Sequence, residues 1–220
     1  MKHIFFLTLS VLAFSLCQTT PTTKKRSLSC YVRYLETENQ LRAEATMREG
    51  DAQLQPTQLA DGLLYQGKEM DLMTTQGISY RWEGPSKFPA KHVFAWKDDK
   101  GQPQQFEMSF SPILQFGFDS TTLSRKQPAK LRWEGTPLEK GESMVLLWEN
   151  STLNKTVPME VINLSSEAAI EFPSVKIAEL DPGTWTYYLV RKKLVKANVN
   201  GVAASGIIEH YTRNDTVQVK

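Results

Sequence analysis

Cysteine is nearly missing from this 220-residue chain, which has only Cys17 and Cys30. A fold stapled by several disulfides is therefore excluded. Histidine is almost as scarce. Of the three, His3 falls in the first apolar segment, and His92 and His210 have no cysteine or histidine neighbours at zinc-ligand spacing. Neither sign of charge dominates, with 26 Lys and Arg against 24 Asp and Glu for a net +2. Such a balance gives no field or basic block to hold nucleic acid. After residues 4–14 no apolar run approaches the roughly 20 residues of a membrane-spanning helix. A Gly-x-Ser-x-Gly elbow, a phosphate-cradling Gly-rich loop and a His-Glu-x-x-His helix are all absent. No catalytic residue, cofactor or metal ligand is assigned.

What is there begins with an address. Met1-Lys2-His3 and the apolar residues 4–14 form a short basic region and a hydrophobic core, the pattern of a cleaved secretory signal. A polar stretch rich in Thr and Lys follows, which reads as a flexible tether over residues 18–29. Phe14-Ser15-Leu16-Cys17 resembles a bacterial lipoprotein signal, in which the cysteine takes lipid and becomes the new N terminus. Leu16 stands where that pattern has a small residue. Ordinary cleavage after Cys17 would instead use Ser15 and Cys17 as the small positions and leave Gln18 first. Lipid anchoring at Cys17 and release by ordinary cleavage both stay open. Either outcome leaves Cys30 without a partner, so stability must come from packing.

One tetrapeptide occurs twice. Arg81-Trp82-Glu83-Gly84 precedes an apolar run ending in Trp96, and Arg132-Trp133-Glu134-Gly135 precedes another ending in Trp148. Fixed-offset self-similarity of this kind predicts two similar β units in tandem. Residues 41–48 alternate apolar and polar strictly, placing Leu41, Ala43, Ala45 and Met47 on one face of a strand. Residues 92–96 and 105–110 predict a hairpin with Phe94, Trp96, Phe106, Met108 and Phe110 inward and a solvated turn containing Asp98, Asp99 and Gly101. Met70, Leu72 and Met73 are expected to fill core. Residues 111–119, interrupted by Pro112 and Gly117, mark a boundary. Beyond it lie about seven strand-like runs, including 175–180, and a final tight hairpin centred on Asn200-Gly201.

Leu180-Asp181-Pro182-Gly183-Thr184-Trp185-Thr186-Tyr187-Tyr188 resembles the Leu-x-Pro-Gly-Thr-aromatic stretch of fibronectin type III and related bacterial immunoglobulin-like domains. The aromatic here is Trp185, and Thr186 holds the position where the family often has tyrosine. The resemblance covers residues 118–220 and implies a sandwich used for adhesion, spacing or binding, with no catalytic residues to carry over. The expected chain is thus all-β, two tandem immunoglobulin-like antiparallel β-sandwich modules at 30–115 and 116–220 after a signal peptide at 1–17 and a tether at 18–29.

Other chemistry ranks lower. Glu83 and Glu134 recur because their motif recurs, which favours a structural role over general acid/base work. Trp82, Trp96, Trp133, Trp148 and Trp185 are expected in the core rather than on a binding surface. Asn150, Asn154, Asn163 and Asn214 each begin an Asn-x-Ser/Thr triplet, a glycan acceptor only in a eukaryotic secretory pathway. The expectation is a non-enzymatic binding or scaffolding protein, exported to the periplasm, the outer membrane or the exterior. Its partner would be a protein or glycan at the cell surface, and it would touch a membrane only through lipid on Cys17. Two alternatives remain: a carbohydrate-active hydrolase with a site between the modules, and an adhesion subunit that completes its sheet with a partner strand.

Overall fold

The computed structural model describes residues 24–161 and 166–220. The expected signal segment, the first half of the tether (residues 18–23), Cys17 and the triplet at Asn163 lie outside the described residues. The described chain opens with β1 (Lys25–Leu35), β2 (Gln40–Gly50), β3 (Gln55–Pro56), β4 (Leu64–Tyr65), β5 (Lys68–Glu69), β6 (Asp71–Met73), β7 (Ser79–Pro85), β8 (Lys91–Lys97) and β9 (Pro103–Ser109). It continues with β10 (Phe116–Phe118), β11 (Thr122–Leu123), β12 (Ala129–Trp133), β13 (Glu142–Asn150), β14 (Lys155–Val161), β15 (Ala169–Phe172), α1 (Ser174–Ile177), β16 (Gly183–Val199), β17 (Val202–Tyr211) and β18 (Asp215–Val219). The chain is all-β and its sheets pack as sandwiches.

One eleven-stranded sheet runs the length of the molecule in the order β11-β18-β16-β17-β1-β2-β7-β6, with β13 and β14 joined to β16 and β3 to β2. Its keystone is β16, at 17 residues the longest strand described. Residues 186–193 pair with β13 on one edge, while 183–187 and 190–199 pair with β18 and β17 on the other. Two smaller sheets cover its inner face, β5-β4-β8-β9 and β10-β12-β15.

Alternation sorts the side chains into two core clusters. The first gathers Leu28, Val32, Leu41, Phe94, Phe106 and Met108 from β1, β2, β8 and β9. The second gathers Leu131, Leu146, Trp148, Trp185, Tyr187 and Val217. Each such burial contributes roughly 1.5–3 kcal/mol, and no disulfide supplements them, since Cys30 is a buried free thiol. Gly206 shows how closely the layers approach. A Cβ there would lie 2.1 Å from the Met108 sulfur, so any larger residue would force the Met108 side chain to move.

Much of the expected pattern is present. Leu41, Ala43, Ala45 and Met47 point inward along β2, and β8 and β9 form the aromatic hairpin. Asn200 and Gly201 take positive φ of 48° and 88°, as a two-residue hairpin turn requires. Four tryptophans are buried, but Trp82 is only partly so, and Leu72 is exposed where core filling was expected. β1 starts at Lys25 rather than Cys30, because it is held on both sides: residues 25–35 pair with β2 and 26–35 run parallel to β17. Residues 174–177 form one helical turn instead of a strand. Ile177 and Leu180 are both fully buried, and a spacing of three would put them on opposite faces of a strand. The final hairpin, read from sequence with the second unit, packs Val202, Ala204 and Ile208 into the first core cluster.

Candidate binding face

The two histidines expected in separate strands are brought together, though not in an open pocket. His92 and His210 are 0% and 2% exposed and both pack against the same ring, Phe88. His92 Nδ1 lies 2.6 Å from the Tyr65 hydroxyl, and no carboxylate forms a hydrogen bond or ion pair with either imidazole among the described residues. Nor does any group of three or more His, Cys, Asp or Glu stand in metal-binding arrangement among them. Glu83 and Glu134 are not a pair: Glu83 lies on the long sheet beside Arg42 (3.4 Å), while Glu134 follows β12 on a different sheet.

Where the two cores meet, the space is closed rather than a cleft. Arg191 and Glu142 have side chains 0% and 1% exposed. The guanidinium donates to Glu142 Oε2 from Nη2 (2.5 Å) and Nε (3.2 Å), and to Thr136 O, Thr136 Oγ1 and Pro137 O at 2.9–3.1 Å. Burial pushes the Glu142 carboxyl up, but Arg191 and the Glu139 backbone N–H outweigh it and hold the group below the usual glutamate range. Breaking such a pair strands a charge, whereas the intact pair adds geometry more than stability.

The open surface is the outer face of the long sheet. Its side chains come from the polar phase of each strand: Arg81 and Glu83 of β7, Arg42 and Glu44 of β2, Tyr31 and Arg33 of β1, Glu209 and Tyr211 of β17, Tyr188, Val190 and Lys192 of β16, and Val145 and Leu147 of β13. Three bands follow. At one side an ion ladder links Arg81 to Glu44 (3.0 Å) and Arg42 to Glu44 and Glu83 (3.2 and 3.4 Å). At the other side Val145 and Leu147 form an aliphatic strip beside Val190, itself only 7% exposed, in a shallow depression of about 420 Å³ that ends at Tyr211.

Between them is a tyrosine band built on one carboxylate. Glu209 sits in register with Arg33 on one neighbour and Lys192 on the other. Its Oε2 accepts from the hydroxyls of Tyr31 (2.6 Å) and Tyr211 (3.1 Å), and Oε1 lies 3.6 Å from Lys192 Nζ. The Arg33 guanidinium stacks 4.6 Å from the Tyr211 ring centroid, its Nε left without a hydrogen-bond partner. Burial first, and then the neighbouring carboxylate, raises the phenols of Tyr31 and Tyr211; burial and Glu149 do the same for Tyr188. All three stay protonated donors. A second hollow of about 260 Å³, lined by Arg33, Tyr188 and Tyr211, adjoins the first.

Sequence reasoning weighed the tryptophans as binders and passed over these tyrosines. The signal was available: Tyr31 and Arg33 fall on the opposite phase of β1 from Val32 and Tyr34, and an aromatic on the polar phase of a strand faces outward.

No family model matches the chain, and no curated protein does. Among solved structures, the FN1–FN3 domains of chicken CNTN1 align with a TM-score of 0.27 and 8% identity, over 89% of this chain and 66% of that one. Murine CEACAM1b gives 0.27 and 8%, over 89% and 99%. The fibronectin(III)-like modules of Clostridium thermocellum CbhA give 0.23 and 5%, over 89% and 92%. The structural neighbours are fibronectin type III and immunoglobulin-like domains. Scores this low do not carry the topology or the work of those proteins over to this chain.

Proposed function

We propose that this is an exported, non-catalytic binding protein that presents the outer face of its long sheet to a protein partner in the cell envelope or outside it. Two sandwich modules share that sheet, divided by core rather than by sequence, with residues 191–211 completing the first. The tyrosine band carries the reading. Tyr and Arg are the side chains enriched at the energetic centres of protein interfaces. Here Glu209 and the Arg33 stack already fix them, so little rotamer freedom is left to lose on association. The ion ladder gives a polar rim on one side, and the aliphatic strip supplies apolar area on the other. Export rests on the first 17 residues. No described helix is long and apolar enough to cross a membrane.

The test is capture of partners from the envelope and exterior fractions of the native cell by the full mature chain. Arg33→Glu combined with Tyr211→Ala should abolish specific capture by a chain that still unfolds cooperatively, while Lys130→Glu, on the opposite side of the molecule, should leave capture intact. Equal capture by all three proteins would overturn the assignment of the face. Mass spectrometry of the native N terminus decides the anchor: acylated Cys17 establishes lipid attachment, and free or cyclised Gln18 excludes it.

A further inference from the structure

Residues 86–90 connect β7 to β8 and are tied at both ends. Ser86 N donates to Asn39 O and Phe110 N donates to Ala90 O, each at 3.1 Å. Between these ties Phe88 turns inward as a plug. Its ring centroid lies 4.9 Å from His92, 5.0 Å from His210, 5.3 Å from Tyr34 and 5.6 Å from Phe110. Both imidazoles are sealed from solvent, and each keeps one ring nitrogen with no hydrogen-bond partner: Nε2 of His92 and Nδ1 of His210. A buried, unpartnered polar atom is costly, and two of them on one plug call for an explanation.

The groups facing the pair do not favour a charged ring. From β4, Tyr65 offers its hydroxyl to His92 Nδ1. From β1, Tyr34 stacks on His210 at 5.4 Å. From β16, Arg191 is paired in register with His210 and sits 5.5 Å from the Phe110 ring centroid. The nearest acid around this cation, Glu142 of β13, is already bonded to Arg191. Burial, joined for His210 by the Arg191 charge, lowers both imidazoles to about 4. Both are neutral while the loop is closed.

We propose that Phe88 and residues 86–90 form an acid-operated latch: proton uptake by His92 and His210 expels the ring, opens the loop and uncovers an aromatic recess between Tyr34 and Phe110. This inference is independent of the binding face. The sign follows from linkage. Once exposed, each imidazole returns to its ordinary value near 6.5, so the open state holds more protons than the closed one below that pH. Opening is therefore independent of pH above about 6.5. Between about 6.5 and 4 it rises about tenfold per pH unit for each histidine, or about a hundredfold for the two together.

Amide hydrogen exchange of the full chain, corrected for intrinsic rates, reads this directly. Peptides covering residues 84–91 should show the steep rise from pH 6.5 to 4.5, while amides of residues 28–32 in β1 stay protected. His92→Phe and His210→Phe should each reduce the slope to about tenfold per unit, the double variant should be flat, and Phe88→Ala should leave the loop open at every pH. A loop unresponsive to pH, core amides opening with the same slope, or a slope that survives in the double variant would overturn the latch. Should a substituted chain fail to fold, imidazole proton resonances of the native protein decide: midpoints near 4 with a coupled shift at Phe88 support the proposal, and midpoints near 6.5 with Phe88 unmoved refute it.

Discussion

Trp82 and Trp133 begin from the same tetrapeptide and end in different surroundings. The first lies in the middle of β7 on the long sheet and is partly buried. Lys68 stands over its ring at 5.1 Å, Tyr65 tilts against it, and Glu83 answers Arg42 and Gln40 across the ladder. The second closes β12 on a small sheet and is buried, its indole N–H donating to Thr136 O (3.0 Å). The same turn then offers Thr136 O, Thr136 Oγ1 and Pro137 O to Arg191. After the first copy the chain passes from the long sheet to a small one, and after the second it passes from a small sheet to the long one. Identical residues thus lie within a strand of the long sheet in one place and end a strand to build a socket for a buried cation in the other. The difference lies in what the tetrapeptide meets: the ion ladder of β2, or the strand shared by both cores.

Three pairs of substitutions sharpen this contrast. The largest difference belongs to the socket: Arg191→Met takes from buried Glu142 its fully buried partner, leaving only Lys193 (3.3 Å) and the Glu139 N–H, and should cost about 3 kcal/mol in urea unfolding. The double change Arg191→Met, Glu142→Leu should recover most of it, because an apolar pair of similar volume does without the desolvation cost. Arg42→Met, at the partly exposed counterpart beside the first copy, should cost at most about 1 kcal/mol. Next come the indoles. Trp133→Ala should destabilise by about 3–5 kcal/mol through cavity formation, and Trp82→Ala by about half as much because water already reaches part of the ring. The smallest pair is the glycines. Gly135 has φ 134°, and a Cβ there would stand 2.9 Å from Pro112 O, so Gly135→Ala should cost about 1–3 kcal/mol. Gly84→Ala meets only ordinary contacts with the Trp82 ring and should stay within about 0.5 kcal/mol. Equal losses within any of these pairs, measured by thermal or urea unfolding, would mean that the two copies share one environment.

Period-two alternation was enough to place β2, β8 and β9, because those strands carry their facing in their own residues, and the Asn-Gly turn signal placed the last hairpin. Trp185 kept the Leu-x-Pro-Gly-Thr corner in an altered form: its Nε1 donates to Asp181 O at 2.8 Å, the tie that a tyrosine would make by its hydroxyl. What escaped was decided by partners distant in sequence. Nothing local in Lys25 or Arg26 announces a strand; their ladder comes from residues 49–50 and 202. The helical turn at α1 follows from the need to bury Ile177 and Leu180 together. The meeting of His92 and His210, and the seating of Tyr31 and Tyr211 on Glu209, both depend on the parallel pairing of β1 with β17 or on the sheet laid over it, which no pattern within one strand encodes.

β16 spans about 55 Å at the usual rise per residue, and its two halves line two different interiors. Melting either interior would strip one end of a ribbon whose other end is still clamped, so heat should remove both in a single calorimetric peak. Force applied at one end of the molecule would reach the other along that ribbon's backbone rather than through a linker.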